Sequence, residues 1–199
     1  MPAEVTIKIN SVVAEHIAPA LKAHDFRKSG QRFWHRHPDC IWVFEIQRDK
    51  YNQGGSGEFT ANIGVYHPAW VEAAISVPRL TFMGPVTDKP AEQNCFLRER
   101  LDELASDNAN ADEGSSSWWK VSPQVSVAEL GASITTAIEQ HALPWFKRFS
   151  HLGVAVDFLD REYVGKRNAW FQKVTAMCGQ ALLGNNARAA ALYAAALSD

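Results

Sequence analysis

The side chains best suited to binding chemistry follow a strongly apolar stretch, CIWVF, that begins at Cys40. Arginine forks match the oxygens of carboxylates and phosphates, and side-chain amides add hydrogen bonds of both kinds. If the strands that carry these groups are neighbours, they form an anion-binding edge of a sheet. The candidate binding residues are Gln47, Arg48, Lys50, Tyr51, Asn62, Arg98, Arg100, Trp118 and Trp119.

The arginines can also be interpreted as purely structural residues rather than as part of a binding site. Arg98 and Arg100 alternate, so on a strand they share one face, and there they could pair across strands with Glu45, Asp49 or Glu99. Exposed pairs of that kind contribute little to stability. Cross-strand pairing of surface charges is common, and the sequence favours this interpretation over a binding patch.

The tryptophan pair WW lies in a short apolar run before Lys120. Adjacent residues of a strand point to opposite faces, so one indole is expected in the core while the other can be an exposed anchor. Tryptophan and arginine are enriched among residues that dominate protein interfaces. Stacking on a nucleic-acid base is the weaker alternative because no basic groove accompanies the pair.

The sequence contains no catalytic or metal-binding signature. His35 and His37 alternate near a turn, with Cys40 and His67 as conceivable further ligands, but a zinc site needs three or four groups to converge. Surface histidines are the favoured interpretation. Cys95 alternates with leucines, which favours a buried structural thiol. We therefore expect no catalytic residue, no metal site and no cofactor.

Composition limits the partners. The formal charge is -2 and the pI is near 6.4, so no overall basic field would attract nucleic acid or an anionic membrane. The three cysteines are far apart and odd in number, which argues against a disulfide framework. The first residues lack the pattern of a secretion signal, and no apolar stretch is long enough to span a bilayer. A cytoplasmic protein without membrane or nucleic-acid binding is predicted.

Periodicity predicts an α+β fold: an antiparallel sheet of about five strands, packed by an N-terminal helix and by C-terminal helices that end in a helical hairpin. Pro19 is expected to kink or end the first helix, and the acidic stretch after Leu101 is expected to be an exposed loop. The predicted domains are a sheet-plus-helix domain, 1–150, and a hairpin, 151–199, packed on the same core. The predicted strands lie within 31–66, 95–101 and 118–121, and the helices at 9–24, 69–75, 127–141, 144–149, 168–183 and 187–197.

Five sequence motifs also carry a family resemblance. In order they are FRKSGQRFWHR, FEIQRDKYN, GEFTANIGVY, NCFLRERL and the tryptophan pair. Together they resemble an uncharacterised bacterial family known as domain of unknown function 4304, over roughly residues 10–150. The resemblance implies the arrangement of a sheet with helices and brings no established activity.

Two hypotheses about function follow. The preferred one is a binding or interaction protein that uses the arginine-containing sheet edge to bind an anionic group, either a small anionic ligand or part of a partner protein. The alternative is a hydrolase or transferase acting on a phosphate- or carboxylate-bearing substrate, with arginines holding the charge. Its general base would be Glu45, Asp49, His35 or His67.

Overall fold

The computed structural model describes residues 4–106, 118–163 and 169–198. The fold is of the predicted α+β class, an antiparallel sheet with helices at both ends of the chain. Five strands follow one another in the order β1-β2-β3-β4-β5, and a sixth strand, β6, pairs with β4. Their bounds are Arg27–Ser29 (β1), Arg32–Arg36 (β2), Ile41–Arg48 (β3), Gly57–Tyr66 (β4), Leu97–Arg100 (β5) and Trp119–Val121 (β6).

Strand β4 is the longest, with 10 residues, and it is buried along most of its length. On one side it pairs with β3, where the amide of Asp49 donates to the carbonyl of Glu58. Its first residues pair with β6 on the opposite side, since Gly57 is in register with Val121 and Phe59 with Trp119. Strand β5 also pairs with β4, on the side away from β3. Strands β5 and β6 therefore share one side of β4.

The described residues also form helices, both before and after β5 in the chain. Those before β5 are α1 (Glu4–Val12), α2 (Ala18–Lys22) and α3 (Pro68–Ile75). Those after it are α4 (Leu101–Ala105), α5 (Val127–Ala137), α6 (Leu143–Phe149), α7 (Leu152–Tyr163), α8 (Trp170–Leu182) and α9 (Asn186–Leu197). Sequence periodicity did not identify α7. None of these helices combines the length and the apolar character needed to cross a bilayer.

Two helices continue past a proline. Pro19 was expected to kink or end the first helix, and Pro144 was expected to begin a separate helix, 144–149. Residues Val13–Ile17 join α1 to α2, and Ile138–Ala142 join α5 to α6, each as a π-helical segment. The amide of Leu143 donates to the carbonyl of Ile138, five residues back. Proline has no amide hydrogen and its ring clashes with the carbonyl four residues earlier, so a wider turn just before Pro144 removes the conflict.

Contacts divide the chain into two compact units. The first comprises Met1–Arg36, Val43–Ile63 and Arg98–Trp145, and the second comprises His37–Trp42, Gly64–Leu97 and Phe146–Asp199. In the first unit, α5 packs against the Val13–Ile17 segment, and the ammonium of Lys8 donates to the carbonyl of Ser122 at 2.6 Å. This packing fixes the helices beside β6.

The second unit has its own aromatic core. The ring of Trp42 stacks on Phe146 at 5.2 Å, and the indole N–H of Trp70 donates to the carbonyl of Thr175 at 2.7 Å. Helices α8 and α9 form the predicted hairpin. The carboxylate of Asp160, 5% exposed, accepts from Gln180 and from both Nε and Nη2 of Arg188. These bonds join the hairpin to α7.

The contact between α5 and the first π segment predicts a steric effect. Gly131 faces His16, and a Cβ at Gly131 would overlap the imidazole ring. We expect Gly131→Ala to lower the free energy of unfolding by about 1–3 kcal/mol, as overpacking does, when urea denaturation is measured. The matched control is Gly153→Ala, where a Cβ meets no atom within 4 Å. Equal stability of Gly131→Ala and the wild type would contradict this assignment.

His67 predicts a dependence of stability on pH. Its ring is 3% exposed, and Nε2 lies 2.9 Å from the carbonyl oxygen of Phe149. Burial lowers the pKa of His67 below its ordinary 6.5, outweighing the opposing effect of this hydrogen bond. The unfolded chain then binds a proton that the native chain does not, so stability is lost as the pH falls below 6.5.

The measurement is urea denaturation above and below that pH. The stability advantage of the wild type over His67→Gln is expected to shrink on acidification. His151, which is exposed, supplies the control variant His151→Gln. A pH-independent difference between the wild type and His67→Gln would contradict the prediction.

Candidate functional site

The shared side of β4 brings Arg100 and Trp118 together. Arg100 ends β5 and Trp118 precedes β6, and the guanidinium carbon of Arg100 lies 5.7 Å from the centre of an indole ring of Trp118. Nη1 of Arg100 also donates to Oε1 of Glu103 at 3.0 Å. The arginine is exposed and the tryptophan is half-buried. A cation therefore lies against an aromatic face, with its planar fork held in one orientation.

The other predicted binding residues also lie in the first unit, but the structure distributes them among separate contacts. Oε1 of Gln47 accepts from Nδ2 of Asn62 at 2.7 Å, and both residues belong to neighbouring strands. Nη2 of Arg48 donates to Oδ1 of Asn10 at 2.6 Å. Since Gln47 and Arg48 are adjacent on a strand, they point to opposite faces. Arg48 therefore lies toward α1 and Gln47 toward the other face.

Lys50 and Tyr51 form a third local contact beyond the end of β3. The ammonium of Lys50 lies 4.7 Å from the ring centre of Tyr51, and Tyr51 is 68% exposed. Arg98 is exposed on β5, two residues before Arg100. The structure thus brings Arg100 beside Trp118, with Arg98 on the same strand. Gln47 with Asn62, Arg48 with α1, and Lys50 with Tyr51 remain apart from that group.

The proposed general bases each contact a neighbouring group. Glu45 is paired with Nε of Arg32 at 2.8 Å, and Oδ1 of Asp49 accepts from the amide of Tyr51 at 3.1 Å. Nδ1 of His35 lies 3.0 Å from the carbonyl oxygen of His24. His67 donates to the main chain as described above. Each of these four side chains therefore has a contact that ties it to the fold.

The cysteines and the possible metal ligands were compared with the needs of thiol and metal sites. All three cysteines are buried, and none forms a disulfide. Burial raises the pKa of Cys40 and of Cys178 to about 11, so neither is a thiolate near neutral pH. In the described part of the chain, no group of three or more His, Cys, Asp or Glu residues could hold a metal ion.

Sequence reasoning missed a cleft of about 360 Å³ beside Trp119. It lies between α4, β6 and the helix formed by α5 and the second π segment. Its lining residues are Asp102, Ala105, Ser106, Trp119, Ser133, Thr136, Ala137, Gln140 and His141. The positions from Ser133 to His141 recur at helical spacing, and the proline at 144 was the sequence signal for the π turn that carries Gln140 and His141.

Asp102 is the most unusual group of this cleft. It was expected to begin an exposed loop, and that prediction is wrong, because Asp102 belongs to α4 and is only 4% exposed. The loop prediction for 107–117 lies outside the described residues. Oδ1 of Asp102 accepts from the hydroxyl of Thr60, a buried residue of β4. Oδ2 is buried and has no hydrogen-bond partner among the described residues.

The comparisons with known proteins identify a family. A family model described as a domain of unknown function, DUF4304, matches residues 17–148. No curated protein and no solved structure matches the chain. The match covers all six strands of the described residues, the second π segment and every residue that lines the cleft. The chain therefore belongs to the DUF4304 family of domains of unknown function.

Proposed function

We propose that this protein is a binding protein that uses the arginine edge of its sheet, Arg98 and Arg100 of β5 with Trp118, to bind an acidic segment of a partner protein. The observation that carries the proposal is the contact of Arg100 with both Trp118 and Glu103. The two contacts already restrain the arginine side chain, so less conformational entropy is lost on binding.

Charge complementarity supports an acidic partner. Two exposed guanidiniums alternate on β5, which is the last strand on the path from β1. Glu103 occupies one side of the Arg100 fork, and a partner carboxylate can use the remaining N–H groups or replace Glu103. An exposed ion pair of this kind is weak, so the exchange has a small energetic cost.

The alternative enzyme function has less support. A hydrolase or transferase for a phosphate- or carboxylate-bearing substrate would need arginines facing a general base. Glu45, Asp49, His35 and His67 each contact other groups of the fold. No arginine lies among the described residues that line the cleft. We also propose a bacterial cytoplasmic location, which agrees with three cysteines that form no disulfide.

A stability measurement separates a binding role of the arginines from a structural one. We expect the double variant Arg98→Ala with Arg100→Ala to melt within a few degrees of the wild type, because exposed ion pairs contribute about 0–1 kcal/mol. Differential scanning calorimetry gives the melting temperatures. A large loss of stability would show that the arginines hold the fold and would remove the basis of the proposal.

A binding measurement tests the partner chemistry directly. We expect a fluorescently labelled hexaglutamate peptide to bind the wild type at low salt and the double arginine variant about tenfold more weakly, by fluorescence anisotropy. The matched control is Arg27→Ala with Lys28→Ala, which removes the same charge from the exposed strand β1 at the other end of the sheet. Trp118→Ala is expected to weaken binding as well. Equal weakening by the β1 control would show that only net charge matters.

A further inference from the structure

The cleft beside Trp119 contains a buried carboxylate whose hydrogen bonding is incomplete. Removing a carboxylate oxygen from water without giving it a hydrogen-bond partner is strongly unfavourable. Proteins keep such groups rarely, and those that remain cluster at functional sites. Oδ2 of Asp102 is such an atom among the described residues, while Oδ1 is fixed by Thr60.

Two hydroxyls of the cleft are left as acceptors. The hydroxyl hydrogen of Thr136 is donated to the carbonyl of Ala132 at 3.0 Å, and that of Ser106 to the carbonyl of Asp102 at 2.5 Å. Their oxygens can still accept hydrogen bonds from a ligand. Gln140 is exposed at the cleft, and its amide can both accept and donate. A ligand that donates hydrogen bonds therefore complements the two hydroxyls and Oδ2 of Asp102.

The charge of the lining points to a cation. Of the nine described residues that line the cleft, none is lysine or arginine; Asp102 is the acidic residue and His141 adds an imidazole. Trp119 is half-buried in the lining, with its ring 5.8 Å from that of Phe59. An indole face attracts ammonium and guanidinium groups, and more strongly where water is excluded.

We propose that this cleft binds a small organic cation bearing an ammonium or guanidinium group. An N–H of that group donates to Oδ2 of Asp102, while the indole of Trp119 contacts its positively charged face. Thr60 holds the carboxylate in place by its bond to Oδ1. This site is distinct from the arginine edge, and the inference does not depend on the proposed function.

Three small probes separate the contributions of charge and of hydrogen-bond donation. Agmatine carries a guanidinium and an ammonium group, N-butylurea is a neutral hydrogen-bond donor, and tetramethylammonium is a cation without N–H groups. Isothermal titration calorimetry on the full chain is expected to show saturable binding of agmatine and much weaker binding of the other two. Absence of agmatine binding, or equally tight binding of N-butylurea, would overturn the proposal.

Substitutions then locate the bound cation. Asp102→Asn keeps an oxygen for Thr60 and removes the charge, so agmatine affinity is expected to fall by about tenfold to a hundredfold. The matched control is Glu103→Gln, which removes the same charge one residue away, where the side chain contacts Arg100. Affinity is expected to stay unchanged in this control. Equal weakening in the two variants would overturn the proposal.

Two further results keep the test decisive. Asp102→Asn is expected to melt at or above the wild-type temperature, because it removes an unpaired buried charge. A strong loss of stability would identify Asp102 as a structural residue and overturn the proposal. Gln140→Lys changes an exposed helical residue at the cleft and is expected to abolish agmatine binding by supplying a competing cation. Unchanged binding in Gln140→Lys would also count against the site.

Discussion

The length of strand β4 is the constraint on which both candidate sites depend. A buried strand needs hydrogen-bond partners along its whole backbone, and the 10 residues of β4 exceed the 4 of β5 and the 3 of β6. The two short strands therefore share one side of it. Arg100 at the end of β5 lies beside Trp118 just before β6, and α4, which follows β5 directly, lines the cleft.

A second constraint comes from prolines inside long helices. Each of the two π segments is followed directly by a helix with a proline at its second residue, Pro19 or Pro144. A π turn changes the angular position of the residues that follow it, and such turns often occur at functional sites. In the second helix this turn contains Gln140 and His141, which line the cleft. The backbone adjustment that accommodates a proline thus contributes to the shape of the cleft.

The short helix α4 carries two neighbouring acidic residues in different environments, one exposed and one buried. Glu103 contacts the exposed Arg100, whereas Asp102 is buried in the cleft and bound by Thr60. An exposed pair tolerates exchange of partners because water compensates the charges. A buried carboxylate lacks that compensation, which makes it a selective group for a ligand of opposite charge. Neighbouring acidic residues in the sequence therefore have different roles because their surroundings differ.

The sequence by itself determined most of the local elements and the family. Period-two alternation was sufficient for the long strands, because successive side chains of a strand point to opposite faces. The Ser126 cap, whose hydroxyl accepts from the amide of Glu129, was sufficient for the start of α5. Only the tertiary structure decided that Asp102 is buried and that Arg48 lies apart from Arg100. Burial and neighbourhood depend on the strand order and on what covers each side chain, and these are contacts between residues far apart in the chain.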